Sequence, residues 1–130
     1  MKRAIVFALL MLPVVGNAAD SKGAYSIVLP KDGTIGSCGT YVVARDEGRR
    51  GDYRKVNDHS AWLMGYLTGY NARTSDTYDI MGNKDLQSLL LWLENYCKQH
   101  PLDSFAVAVN FLIIELYPTR ARTAPKEATP

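Results

Sequence analysis

From Leu86 onward the apolar positions recur with a helical period. Leu86, Leu89, Leu90, Leu93 and Cys97 fall at i, i+3, i+4, i+7 and i+11, with Trp92 and Tyr96 widening the stripe and Gln87, Glu94 and Lys98 set opposite. Asn83 or Asp85 is placed to cap this helix, and His100-Pro101 closes it, since proline cannot extend a helix. A second helix is predicted over Ser104 to Tyr117, capped by Asp103. Phe105, Ala106, Val109, Leu112, Ile113 and Leu116 form its main face, which Val107, Phe111 and Ile114 extend. So few polar positions remain that this helix must be nearly surrounded, at the centre of a bundle or partly in a homodimer interface.

The pattern upstream is weaker. Asn57 or Asp58 can cap a helix in which Trp62, Gly65, Tyr66, Gly69, Tyr70 and Arg73 keep the 3.6-residue period; the two glycines would let another helix backbone approach. Cys38, Tyr41, Val42 and Arg45 fit a short helix, although Val42-Val43 suits a strand equally well. The charged stretch Arg45 to Lys55, with Gly48 and Gly51 inside it, reads as a solvated loop. The fold class is therefore all-α: a small disulfide-linked bundle of about four helices over 38–117, between an extended arm at 19–37 and a disordered tail at 118–130.

The first eighteen residues carry a different pattern. Lys2 and Arg3 precede the uncharged run Ala4 to Val15, and Gly16-Asn17-Ala18 supplies small residues before a cleavage point, the build of a secretory signal peptide. The apolar run is shorter than the ~20 residues needed to span a bilayer core, so no stable membrane anchor is expected. The predicted mature start is Ala19 and the predicted location is the periplasm or the exterior. Cleavage removes Lys2 and Arg3 from the 15 basic residues, which brings them level with the 13 acidic ones. A neutral mature chain gives no electrostatic case for nucleic acid.

Cysteine usage agrees with export. Cys38 and Cys97 are the only two, 59 residues apart, and in an oxidising compartment a structural bridge is the natural reading. With both thiols so consumed, His59 and His100 cannot complete a zinc-type cluster, and both are expected as solvent-exposed residues near helix ends. Asp76, Asp79, Asn83 and Asp85 lack the spacing of a calcium loop. No Gly-x-Ser-x-Gly elbow and no Gly-rich phosphate loop occurs. Glu94 and Glu115 read as ordinary surface charges. No metal, no cofactor and no catalytic residue is expected.

The arrangement Cys38-Gly-x-Tyr41, Trp62-x-x-Gly-Tyr-x-x-Gly-Tyr-Asn71, Asp85, Trp92-Leu-Glu-Asn-Tyr-Cys97 and His100-Pro-Leu-x-x-Phe105 resembles small exported bacterial proteins related to the Tai-type immunity proteins. More remotely it is similar to the HdeA acid chaperones. The resemblance covers roughly residues 38–117 and contains no catalytic signature. It implies a helical periplasmic domain with one disulfide and a non-enzymatic role: either blocking a peptidoglycan amidase delivered by a type VI secretion system, or binding unfolded clients after partial unfolding in acid. A small secreted enzyme is the remaining class.

An inhibitor needs a fixed epitope, and the loop from Tyr70 to Asp79, set between two helices, offers one. Tyr70, Asn71, Arg73, Asp76, Tyr78 and Asp79 are the expected partner-binding residues, because Tyr and Arg most often carry binding energy. The expected partner is another exported protein, an amidase effector or an unfolded client.

Overall fold

The computed structural model describes residues 35–126. The segment read as a signal peptide, most of the expected arm and the last four residues lie outside that range. Four helices follow one another: α1 Cys38–Arg49, α2 Arg54–Arg73, α3 Leu86–Gln99 and α4 Phe105–Leu116, with a 3-10 turn at Tyr117–Thr119. The described residues contain no strand, only two isolated bridges. α1 packs against α2, α3 and α4, and α3 packs against α4, so α1 is the hub of the bundle.

α1 starts at a capping box. Ser37 Oγ accepts a hydrogen bond from the Thr40 amide at 3.2 Å, and Thr40 Oγ1 accepts one from the Ser37 amide at 3.1 Å. The amides of Cys38 and Gly39 donate to the carbonyls of Asp103 and Pro101, so the α3–α4 turn satisfies the open end of α1. The Cys38–Cys97 disulfide fastens the same point, as the cysteine count predicts.

The expected loop over Arg45 to Lys55 is corrected: α1 runs on to Arg49, and α2 begins at Arg54. Ala44 and Gly48 are buried on the inner face of α1, and Gly51 turns the chain with φ of +100°. The charges misled because their partner is distant. Arg45 and Arg49 both reach Glu94 on α3.

In α2 the buried stripe is Val56, His59, Leu63 and Leu67, with Trp62, Tyr66 and Tyr70 packed at its border. Two expectations fail here. Asn57 and Asp58 lie inside the helix; Tyr53 occupies the cap without a side-chain bond, and Asp52 Oδ1 takes up the Arg54 amide. Gly65 and Gly69 face outward, where an added Cβ would meet nothing within 4 Å, so no backbone approaches them. The aliphatic side chains set the phase of the stripe, one position away from the aromatic and glycine pattern.

α3 matches its expectation except at Glu94, which is buried with the stripe; Asp85 Oδ1 accepts from the Ser88 amide at 2.9 Å and Leu89, Leu90, Leu93 and Cys97 are buried. That bond holds the Asp85 carboxyl below its usual pKa. α4 is capped by Ser104, whose Oγ accepts from Val107, and not by Asp103. Asp103 is used elsewhere: its carboxylate accepts the Tyr96 hydroxyl at 2.8 Å. Among the described residues no helix is long and apolar enough to cross a membrane.

Candidate functional site

The loop after α2 is built from the inside. Asn71 Oδ1 accepts the Ile80 amide at 2.9 Å, and Asp79 Oδ1 accepts the Met81 amide at 3.0 Å, both folding the loop back on itself. Tyr70 is half-buried against the core. Asp76 adopts φ of +57°, a backbone conformation an aspartate tolerates better than most residues. Arg73 lies at the end of α2, exposed, in the last helical turn. Tyr78 is half-exposed at 52%. Of the six predicted contact residues, then, Asn71 and Asp79 hold the loop's shape and Tyr78 presents a ring outward.

The C-terminal segment, expected as a tail from 118 onward, closes over this loop. Asp79 pairs with Ala121 as an isolated antiparallel bridge, and the Tyr78 amide donates to the Ala121 carbonyl at 2.9 Å. Arg120, 5% exposed, donates from Nε to the Asp76 carbonyl and to Thr77 Oγ1, both at 3.1 Å, and pairs with the Asp76 carboxylate. Its guanidinium also lies 3.7 Å from the centre of the Tyr117 ring. Arg122 adds a second cation to Asp76 at 3.0 Å. The composition of this segment hid the clasp, since its partners lie more than forty residues upstream.

One glycine makes the clasp possible. Gly82 has φ of +59°, and a Cβ there would stand 2.5 Å from the Thr119 carbonyl oxygen. Gly82→Ala is expected to cost about 1–3 kcal/mol through backbone strain and displacement of the 119–121 segment. Urea unfolding measures the cost, and amide shifts of Tyr78 and Ala121 should report the displacement. Unchanged shifts at both would remove Gly82 from this role.

Row by row, α3 and α4 expose an apolar surface beside the clasp. Val107, Phe111 and Ile114 on α4 and Tyr117 at the start of the 3-10 turn are exposed by 40, 49, 67 and 40%. The Phe111 ring stacks on Tyr96 at 5.4 Å, and Tyr96 stacks on Trp92 at 5.7 Å. α4 is therefore not surrounded. Its inner face fills the core and its outer face is open. Through Tyr117 and Arg120 this row runs into the clasped loop.

Beneath the surface lie two polar groups that the sequence placed outside. His59 is fully buried, inside α2, with its ring 5.0 Å from Tyr41 and 4.9 Å from Phe105. Its Nδ1 is 2.7 Å from the Lys55 carbonyl and so carries the proton, which leaves Nε2 without a partner. Burial holds its pKa below the ordinary 6.5, against the Lys55 carbonyl and Asp58, which favour the charged form. His100, by contrast, is exposed, as expected.

Glu94 is 2% exposed and receives Arg45 Nε and Arg49 Nη1, each at 3.0 Å, and Lys98 Nζ at 2.7 Å. Burial alone would raise its pKa; the bonds from Lys98, Arg45 and Arg49 outweigh that and hold it at about 2. Nearby, the Tyr41 hydroxyl donates to the Leu90 carbonyl at 2.9 Å, and burial pushes its pKa up. Both buried groups stand in phase with an apolar stripe, His59 at i+3 from Val56 and Glu94 at i−3 from Cys97. That phase was the signal available in the sequence.

Among the described residues, no group of three or more His, Cys, Asp or Glu side chains is placed to hold a metal ion. No protein-family model matches the chain. No curated protein matches it. No solved structure matches it.

Proposed function

We propose that this chain is a non-enzymatic protein-binding module acting on another exported protein, in the manner of an immunity protein that blocks a peptidoglycan amidase. The observation that carries the reading is the exposed row Val107–Phe111–Ile114–Tyr117 leading into a loop fastened by the Arg120 clasp. The Phe111 ring, already stacked on Tyr96, loses little conformational freedom on docking, and the polar loop at the rim supplies direction. Tyr78, Arg73 and Asp76 belong to that rim. Titration calorimetry against a purified exported amidase, with its activity followed in parallel, tests this. One-to-one inhibition by the wild type is expected, with Phe111→Asp and Ile114→Asp each weakening binding by about 2 kcal/mol while the helical spectrum stays unchanged. Neither a complex nor inhibition with amidases of this class would end the immunity reading.

A second reading, an acid-responsive chaperone, is favoured by one observation: a buried, neutral His59 at the centre of the core whose Nε2 has no partner. Its folded pKa is depressed, so the unfolded chain takes up the proton first, and stability present above pH 6.5 is lost as pH falls below that value. Glu94 acts lower. Its stabilisation is complete above pH 4.5 and is lost between 4.5 and about 2, worth about 3 kcal/mol for a group this buried. Melting temperature is therefore expected to fall in two stages from pH 7 to pH 2, and His59→Phe should abolish the upper stage alone. A melting temperature flat across that range would exclude acid opening.

A further inference from the structure

A cleft of about 260 Å³ opens between α1, α2 and α3. Sites for drug-sized ligands occupy roughly 300–1,000 Å³, so this one suits a single short chemical group and not a whole metabolite. Its wall is apolar at Val56 and Leu90, and two carboxamides, Asn57 and Gln87, line it as well. The charged lining consists of Arg45 and Arg49 and includes no carboxylate. Their shared counter-ion, Glu94, is not part of the lining, and its two oxygens are already taken by three cations; Arg49 also pairs with Asp46 on its own helix, likewise outside the lining, which leaves Arg45 as the cation with open donors.

Arg45 is the decisive residue. Its Nε is bonded to Glu94 Oε2 at 3.0 Å, which fixes the guanidinium, and the side chain is only 19% exposed. No described residue accepts a hydrogen bond from its Nη1 or Nη2. Two outer donors of a pre-oriented planar fork are thus unfilled in a partly desolvated wall, where the ordering cost of the side chain has already been met. A carboxylate matches that fork with two parallel bonds. Asn57 and Gln87 make no side-chain hydrogen bond to described residues either, and each can both donate to and accept from an adjoining peptide group.

We propose that this cleft binds one carboxylate on a short apolar stem, with Arg45 as the fork, Arg49 as the second cation and Asn57 and Gln87 holding the flanking amide. The chemistry is shared by an acidic side chain and by a polypeptide C-terminus. The proposal goes beyond the protein-binding reading and is tested without any protein partner, so the failure of one does not entail the failure of the other.

Nitrogen–proton correlation spectra of the full mature chain, including arginine Nε–H and side-chain amide signals, are the readout. The probes are N-acetyl-alanine for a C-terminus, N-acetyl-glutamate α-amide for an acidic side chain, and N-acetyl-alanine amide as the neutral control. Saturable shifts of Arg45 Nε–H and of the Asn57 and Gln87 amides with one or both carboxylates, and none with the control, are expected; the tighter carboxylate identifies the source. Arg45→Lys, which keeps the charge and removes the fork, should weaken binding about tenfold. Should that variant fail to fold, Asn57→Leu and Gln87→Leu, both at exposed positions, should each weaken binding severalfold. Equal shifts with the neutral amide, or no saturable shift with either carboxylate, would overturn the proposal.

Discussion

Replacing Cys38 and Cys97 together by serine is expected to lower the unfolding free energy by about 4 kcal/mol, the chain-entropy value for a closed loop on the order of 60 residues. The separation is 59 residues, and both sulfurs are buried with no exposure. Each serine would also place a hydroxyl in the buried core cluster, which adds to the loss. The effect is large for a single domain of this size. Guanidinium unfolding of the wild type and the double variant, followed by far-ultraviolet dichroism, measures it. Coincident midpoints would mean the bridge contributes nothing beyond its packing. Because the sulfurs are inaccessible, reduction by a thiol in native buffer should proceed only as fast as the bundle opens, and adding denaturant should accelerate it.

Truncation of Phe105 is the other change with a large expected effect. Its ring is fully buried and lies 4.7 Å from Tyr41 on α1, 4.9 Å from His59 and 5.7 Å from Trp62 on α2. Three helices therefore meet on one side chain. Phe105→Ala removes that contact and leaves a cavity that Tyr41 cannot collapse into, since its hydroxyl is tied to Leu90. A cost of about 3–5 kcal/mol is expected. Phe105→Leu, which keeps most of the volume, should cost less than half as much. Equal losses for both variants would show that ring stacking and not cavity volume dominates here.

Both predictions rest on contacts that the sequence showed only in part. α3 was legible because its evidence is local: a leucine period, Asp85 at the cap, and Cys97 on the same face. The half of α1 beyond Arg45 was not, because what makes it helical is Glu94, 45 and 49 residues downstream of its two arginines. Gly65 and Gly69 drew attention as a packing stripe, yet aliphatic burial at Leu63 and Leu67 decided which face turned inward. For the loop from Tyr70 to Asp79, the residue types were visible but their duties were not. Asn71 and Asp79 are spent on backbone amides, and Asp76 on two arginines from the far end of the chain. The open row on α4 was half visible: Val107, Phe111 and Ile114 read as extending the apolar face of a nearly surrounded helix, and the structure leaves them uncovered.

The carbonyls of Pro101 and Asp103 that receive the first amides of α1 stand beside the disulfide joining Cys38 to Cys97. A covalent tie at that point removes the motions by which α1 could detach alone, so hydrogen exchange at Cys38 and Gly39 has to wait for opening of the whole bundle. The clasp at the opposite end of the chain has no such tie. Tyr78 and Ala121 are held by the three backbone bonds that Ala121 makes to Tyr78 and Asp79 and by ion pairs to Asp76 that water can reach, and their amides should exchange through small local openings. The molecule is thus graded along its length, with a slow-exchanging pole at the bridge and a fast one at the loop. Any partner that grips the loop would be felt first as slowed exchange at Tyr78 and Ala121, with the Cys38 amide unmoved.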